Sequence, residues 1–143
     1  MEDELVSLED VRGIAEGLEQ CSAIKIGGIA ASDQKYLFIA PKNCTILGVT
    51  IVSDVTTASS GSTKDFAFNI QNLTTSVSLS GTPMDTDTKE ITADTAYDLT
   101  IDQNTDVLAG AVLELQVTKT GAPTDLTNAE IIGVVKYKDN SYS

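Results

Sequence analysis

Apolar positions along the chain change their spacing near residue 22. Before it, Leu5, Leu8, Val11, Ile14 (with Ala15) and Leu18 recur at three- and four-residue steps, which places them on one helical face. Ser7 followed three residues later by Asp10 forms a capping-box pattern that starts the helix near Leu8. Gly13 and Gly17 each weaken that helix by about 1 kcal/mol relative to alanine, and a lone helix this short is marginal in water. Burying the five aliphatic side chains returns roughly 7–15 kcal/mol. Ordering the segment costs at least as much, at about 1–2 kcal/mol per residue. The segment is therefore expected to stay loose until its apolar stripe is covered by its own domain, a neighbouring subunit or a larger scaffold. These five residues are the expected partner-binding set. The pattern predicts an acidic, partly helical N-terminal arm at 1–21 and a separate domain at 22–143.

From residue 22 onward the period becomes two, the spacing of half-buried strands. A short apolar strand is predicted over 23–29, with a bulge or close backbone approach at Gly27 and Gly28. Further strands are predicted over 35–39, stopped by Pro41, and over 45–53, rich in Ile and Val. Residues 54–63 read as a turn-rich loop. Residues 65–72 alternate, with Phe66, Phe68 and Ile70 inward and Ala67 and Asn69 outward. Weaker candidates lie at 76–80 and 96–101. Residues 112–119 put Leu113, Leu115 and Val117 inside and Glu114, Gln116 and Thr118 in water. A loop at 120–125 precedes a last strand over 130–138. No helix-length periodic segment separates the strands, which argues against α/β architectures. The expected fold class is all-β: a β-sandwich or jelly roll of seven to eight short antiparallel strands with a short N-terminal helical arm.

Composition agrees. The 143 residues suit one domain, and 18 Thr and 12 Ser with no Trp imply an aliphatic core among polar loops. The net charge of −12 is concentrated. Residues 1–20 hold seven acids and one base, residues 83–110 the same, and the remaining segments nearly cancel. Such a surface repels phosphate backbones, so nucleic acid is not an expected partner. No stretch approaches the roughly 18 apolar residues of a membrane helix, so no membrane partner is expected either. The acidic start is unlike a signal peptide, and synthesis in a cytoplasm is expected. Cys21 and Cys44 form no disulfide framework. Two reduced, buried thiols are the expectation, with a bond between them the alternative.

Candidate chemistry is sparse. The chain has no histidine, which removes Ser-His-Asp triads, Cys–His pairs and His-ligated metals. It has no CxxC spacing and no glycine-rich phosphate loop. Asp94, Asp98, Asp102 and Asp106 recur every four residues after Asp85, Asp87 and Glu90. Paired carboxylates hydrolyse glycosides, but such a cleft needs lining aromatics, and this chain has no Trp. Residues 102–106 resemble the start of an EF-hand loop, yet Val107 replaces the turn glycine and Leu113 the closing Glu. A solvated acidic rim is expected, with a looser calcium site through loop carbonyls as the alternative. No cofactor, metal ligand or catalytic residue is expected. Asn43 and Asn72 head N-x-T triplets that read as chance matches in a Thr-rich chain.

The run TILGVTIVSD at 45–54, a Ser/Gly loop, FAFNIQN at 66–72, VLELQVTKTG at 112–121 and PTDL at 123–126 before a final Ile/Val strand together resemble small head decoration, or cement, proteins of tailed bacteriophages. The resemblance covers about residues 23–138 and lies in texture and loop placement; it defines no residue set to carry over. It implies a structural, non-enzymatic domain, often a homotrimer, on the outer capsid surface of the virion. Such a domain binds the major capsid protein and stabilises contacts between its subunits. The competing reading is a carbohydrate- or receptor-binding sandwich of a fibre or adhesin, which would need exposed aromatics among Tyr36, Tyr97, Tyr137 and Tyr142.

Overall fold

The computed structural model describes residues 19–29, 32–56, 65–85, 91–120, 126 and 129–140. The helix expected in the arm, with Leu5, Leu8, Val11, Ile14 and Leu18, lies outside the described residues. The strands are β1 (Glu19–Lys25), β2 (Asp33–Ile39), β3 (Cys44–Ser53), β4 (Asp65–Asn72), β5 (Val77–Ser78), β6 (Met84–Asp85), β7 (Ala96–Leu99), β8 (Asp106–Val107), β9 (Val112–Thr120) and β10 (Ile131–Asp139). They form two five-stranded sheets. One runs β1-β10-β3-β7 with β8 also on β3; the other runs β2-β9-β4-β5 with β6 also on β4.

Every pairing is antiparallel, and the pairs nest: β1 with β10, β2 with β9, β3 with β7 and β8, β4 with β5 and β6. Successive strands from β1 to β4 alternate between the sheets, so the chain behaves as one long hairpin wrapped into two layers. That is jelly-roll topology. The eight ribbon positions match the expected count, and two of them are each split into a pair of short strands. The strand expected at 23–29 instead spans Glu19–Lys25, and Ile29 makes an isolated bridge to Leu126.

The core follows the alternation. Phe66, Phe68 and Ile70 of β4 and Leu113, Leu115 and Val117 of β9 are buried against Ile46, Val49 and Ile51 of β3 and Ile131 and Val135 of β10. Two bulges reset its phase. In β3, Leu47 has no partner on β10, so Cys44 and Ile46 face inward before it and Val49, Ile51 and Ser53 after it. In β2 the register shifts between Tyr36 and Phe38, and Leu37 and Phe38 are both buried. Gly133 faces the core with no room for a side chain. A Cβ there would lie 2.7 Å from Leu37 Cδ1 and 2.9 Å from Ile26 Cδ1, closer than packed carbons come.

Two side chains depart from expectation. Glu114, on the outer face of β9, is buried rather than in water. It stands between Tyr36 and Gln71 in the cross-strand row, and Gln116 Nε2 donates to its Oε1 at 3.1 Å. A central strand flanked by long side chains is covered even on its outer face. Cys21 is exposed rather than buried, because β1 lies at the rim of its sheet. Cys44 is buried as expected, and both thiols are free.

Candidate docking surface

The acidic repeat is used structurally. Thr50 Oγ1 donates to Asp98 and Thr45 Oγ1 to Asp106, each at 2.6 Å, tying β7 and β8 to β3 across the sheet. Asp102 accepts the Gly81 amide at 2.8 Å. Asp94 and Asn104 take positive φ in turns. Among the described residues no three Asp, Glu, Cys or His side chains converge as a metal site would require. The glycosylation triplets are also structural. Asn72 is buried and its Oδ1 accepts the amides of Thr74 and Thr75. Asn43 Oδ1 accepts the Ala109 amide at 2.9 Å. The tyrosines divide: Tyr97 is buried with its hydroxyl accepting the Thr92 amide, and Tyr137 packs on Phe38 at 5.0 Å. Tyr36 stays exposed, the one tyrosine to do so among the described residues, and Tyr142 lies outside them.

The two ends of the sandwich differ in character. At one end Cys44 pairs with both Asp139 and Val107, and Glu19 pairs with Lys138. β1 therefore begins at the end that carries the β2–β3, β4–β5 and β8–β9 connections. Three apolar side chains stand open on these connections or at the strand ends beside them. Ile39 is 66% exposed, Leu108 is 70% exposed, and Leu73 is 38% exposed. Their backbones are close. Ile39 pairs with Val112, Leu73 N donates to Val112 O, and Ala111 N donates to Leu108 O. Gly110, with φ +85°, and Ala40 close the same corner through Gly110 N to Ala40 O at 2.8 Å. An open cleft of about 390 Å³ beside them is lined by Thr74, Val77, Val107, Leu108 and Ala111. Charges at this end are largely engaged: Asp139 with Lys42 at 3.5 Å and Asp106 with Thr45.

The opposite end is more polar. Asp54, Asp94 and Glu130 gather there beside the exposed Ile132, joined by Glu130 N to Asp54 Oδ1, Asp94 N to Ser53 O, and Lys25 with Glu130 at 2.7 Å. The apolar end was not read from the sequence. Its signal was an apolar residue in a glycine turn, Leu108 before Ala109 and Gly110, and an Ile at a strand end, Ile39 before Pro41.

No protein-family model matches the chain. No curated protein matches it as a relative. Among solved structures, a chain of the cyanophage Pam1 capsid asymmetric unit is 14% identical over 85% of this chain and 84% of that one, with a TM-score of 0.49. A chain in the structure of the infectious bursal disease virus Gx strain is 13% identical over 87% of this chain, which spans 33% of that one, with a TM-score of 0.39. At those levels neither likeness says what this chain does.

Proposed function

We propose that the protein is a non-catalytic capsid decoration protein of a tailed phage, seated by its arm end on the outer surface of the head. The observation that carries this reading is the coincidence of the arm's root with the exposed Ile39, Leu73 and Leu108 at one end of the jelly roll. The apolar stripe read from the sequence at 5–18 immediately precedes β1, which begins beside this apolar corner. One partner surface buries both at once, and the arm gains order only there. The acidic end then faces outward, where like charge keeps a densely coated shell soluble. The partner is the major capsid protein in its assembled lattice, and copies seat as trimers, as the sequence resemblance implies. Many weak sites that bind the assembled shell and not the free subunit shift the equilibrium towards assembly by mass action.

The test uses expanded heads assembled without this protein, to which the purified chain is added. Wild-type chain is expected to bind heads and not free capsid protein, and to raise the temperature at which heads come apart. Removing residues 1–18, or combining Ile39→Asp with Leu108→Asp, is expected to weaken binding by about tenfold or more, as loss of a buried anchor does. Undiminished binding by both variants, or no binding by the wild type, would overturn the proposal.

A further inference from the structure

Edge strands with open backbone groups are commonly blunted by shortness, bulges or charge. Among the described residues three of the four edges are. β7 and β8 are four and two residues long, and β5 and β6 are two each. β2 carries a bulge at Tyr36–Phe38 and the charged pair Asp33 and Lys35 at 3.2 Å. β1 is different. It pairs with β10 over seven residues with no register shift, holds no proline, and has charges at its two ends, Glu19 and Lys25. No described residue pairs with its second edge, and all its side chains are exposed or half-exposed.

We infer that β1 pairs antiparallel with β1 of a second copy of this chain, centred on Ser22. Backbone direction sets the allowed registers. Ile26 N donates to Ile131 O at 2.7 Å. In an antiparallel ladder the groups of alternate residues point to opposite sides, so Gln20, Ser22 and Ile24 aim at β10 and Glu19, Cys21, Ala23 and Lys25 aim outward. Two such edges match only when outward-aimed residues face one another. With Ser22 opposite the partner's Ser22, Cys21 meets the partner's Ala23 and Glu19 meets the partner's Lys25. Both charge pairs are then opposite in sign, which favours a cross-strand pair. A slip of one residue misaligns every hydrogen bond, and a slip of two separates the charges. Parallel pairing brings like charges together. Gly133, opposite Ile24, faces the core. Ile24, 37% exposed at the rim, is therefore covered beside the partner's Gln20.

This pairing has a two-fold axis, so it joins chains two at a time. Between trimers on a shell it ties one trimer to the next, and it stands whether or not the shell reading holds. A single strand pair buries less than the roughly 1,200–2,000 Å² of a stable interface, so the free dimer is weak and concentration-dependent. The test is disulfide trapping. Ser22 faces the partner's Ser22 in a non-hydrogen-bonded pair with Cα atoms about 4.5 Å apart, within the range of about 4.4–6.8 Å that a disulfide spans. In a Cys21→Ala background, Ser22→Cys is expected to give covalent dimers under mild oxidation at high protein concentration, several-fold more than Ile24→Cys. Adding Ala23→Pro, which removes an outward amide and spares the ladder to β10, is expected to abolish them. In the unmodified chain, amide exchange at Cys21, Ala23 and Lys25 is expected to slow as concentration rises, while Ser22 and Ile24 stay protected throughout. Equal trapping at positions 22 and 24, or exchange at β1 independent of concentration, would overturn the proposal.

Discussion

Gly133 shows how little room one position has. The layers meet so closely there that a methyl group would displace Leu37 or Ile26, and overpacking of this kind costs about 1–3 kcal/mol. Gly133→Ala is therefore expected to lower the unfolding free energy by that amount, read as a lower urea midpoint at unchanged slope. The two thiols are expected to react at very different rates. Cys21 is open to solvent, whereas burial pushes Cys44 up to about 11, with the nearby charges of Asp139 and Asp106 adding to it. A thiol reagent near pH 8 should label Cys21 in the folded chain and Cys44 only on unfolding. The folded-state value lies above the unfolded value of 9.0. The thiol's contribution is thus present below pH 9 and lost as pH rises towards 11. Comparing the alkaline melting curves of wild type and Cys44→Ala checks this: the variant should lose less stability across that window. Glu114 marks a limit of alternation. The period of β9 gave its face correctly, but depth depends on the flanking Tyr36 and Gln71, which only register brings beside it.

At the scale of elements, β4 was legible to the residue, because Phe66, Phe68 and Ile70 alternate without interruption. β9 and β10 were legible within a residue or so at each end. The bulges at Leu47 and Leu37 were not, since an extra residue in one strand is defined only against its partner. β1 began earlier than expected because Glu19, Gln20 and Cys21 have no buried face to impose a period on them. β6 and β8 are two residues long and carry no pattern of their own. The aspartate repeat was visible, but its use was not: Asp98 and Asp106 serve Thr50 and Thr45 on β3. Thr50→Val and Thr45→Val are each expected to cost about 1 kcal/mol in denaturant unfolding. Adding calcium is expected to leave the melting temperature unchanged, because the carboxylates of Asp98, Asp102 and Asp106 already accept hydrogen bonds from Thr50, Gly81 and Thr45; Asp87 and Glu90 of the acidic stretch lie outside the described residues.

At the scale of the whole molecule, the all-β class followed from the period of two and the shortage of helical segments. The nested pairing that makes the jelly roll did not follow, because strand order depends on long-range pairing that no local pattern states. The corner of the candidate site was not legible, because Ile39, Leu73 and Leu108 are brought together only by the fold. The apolar stripe at Leu5, Leu8, Val11, Ile14 and Leu18 is a sequence pattern outside the described residues, and its part in docking is a proposal. The result is a sandwich with an exposed apolar corner at the end where β1 begins and an acidic cluster at the other end. The most direct measurement of the central claim is a residue-level solvent footprint of the chain, free and bound to empty heads. Protection on binding is expected at residues 39–43, 72–76 and 106–111 and over residues 1–18, with Asp54, Asp94 and Glu130 unchanged. Protection at the acidic end with the Ile39 and Leu108 corner left open would contradict it.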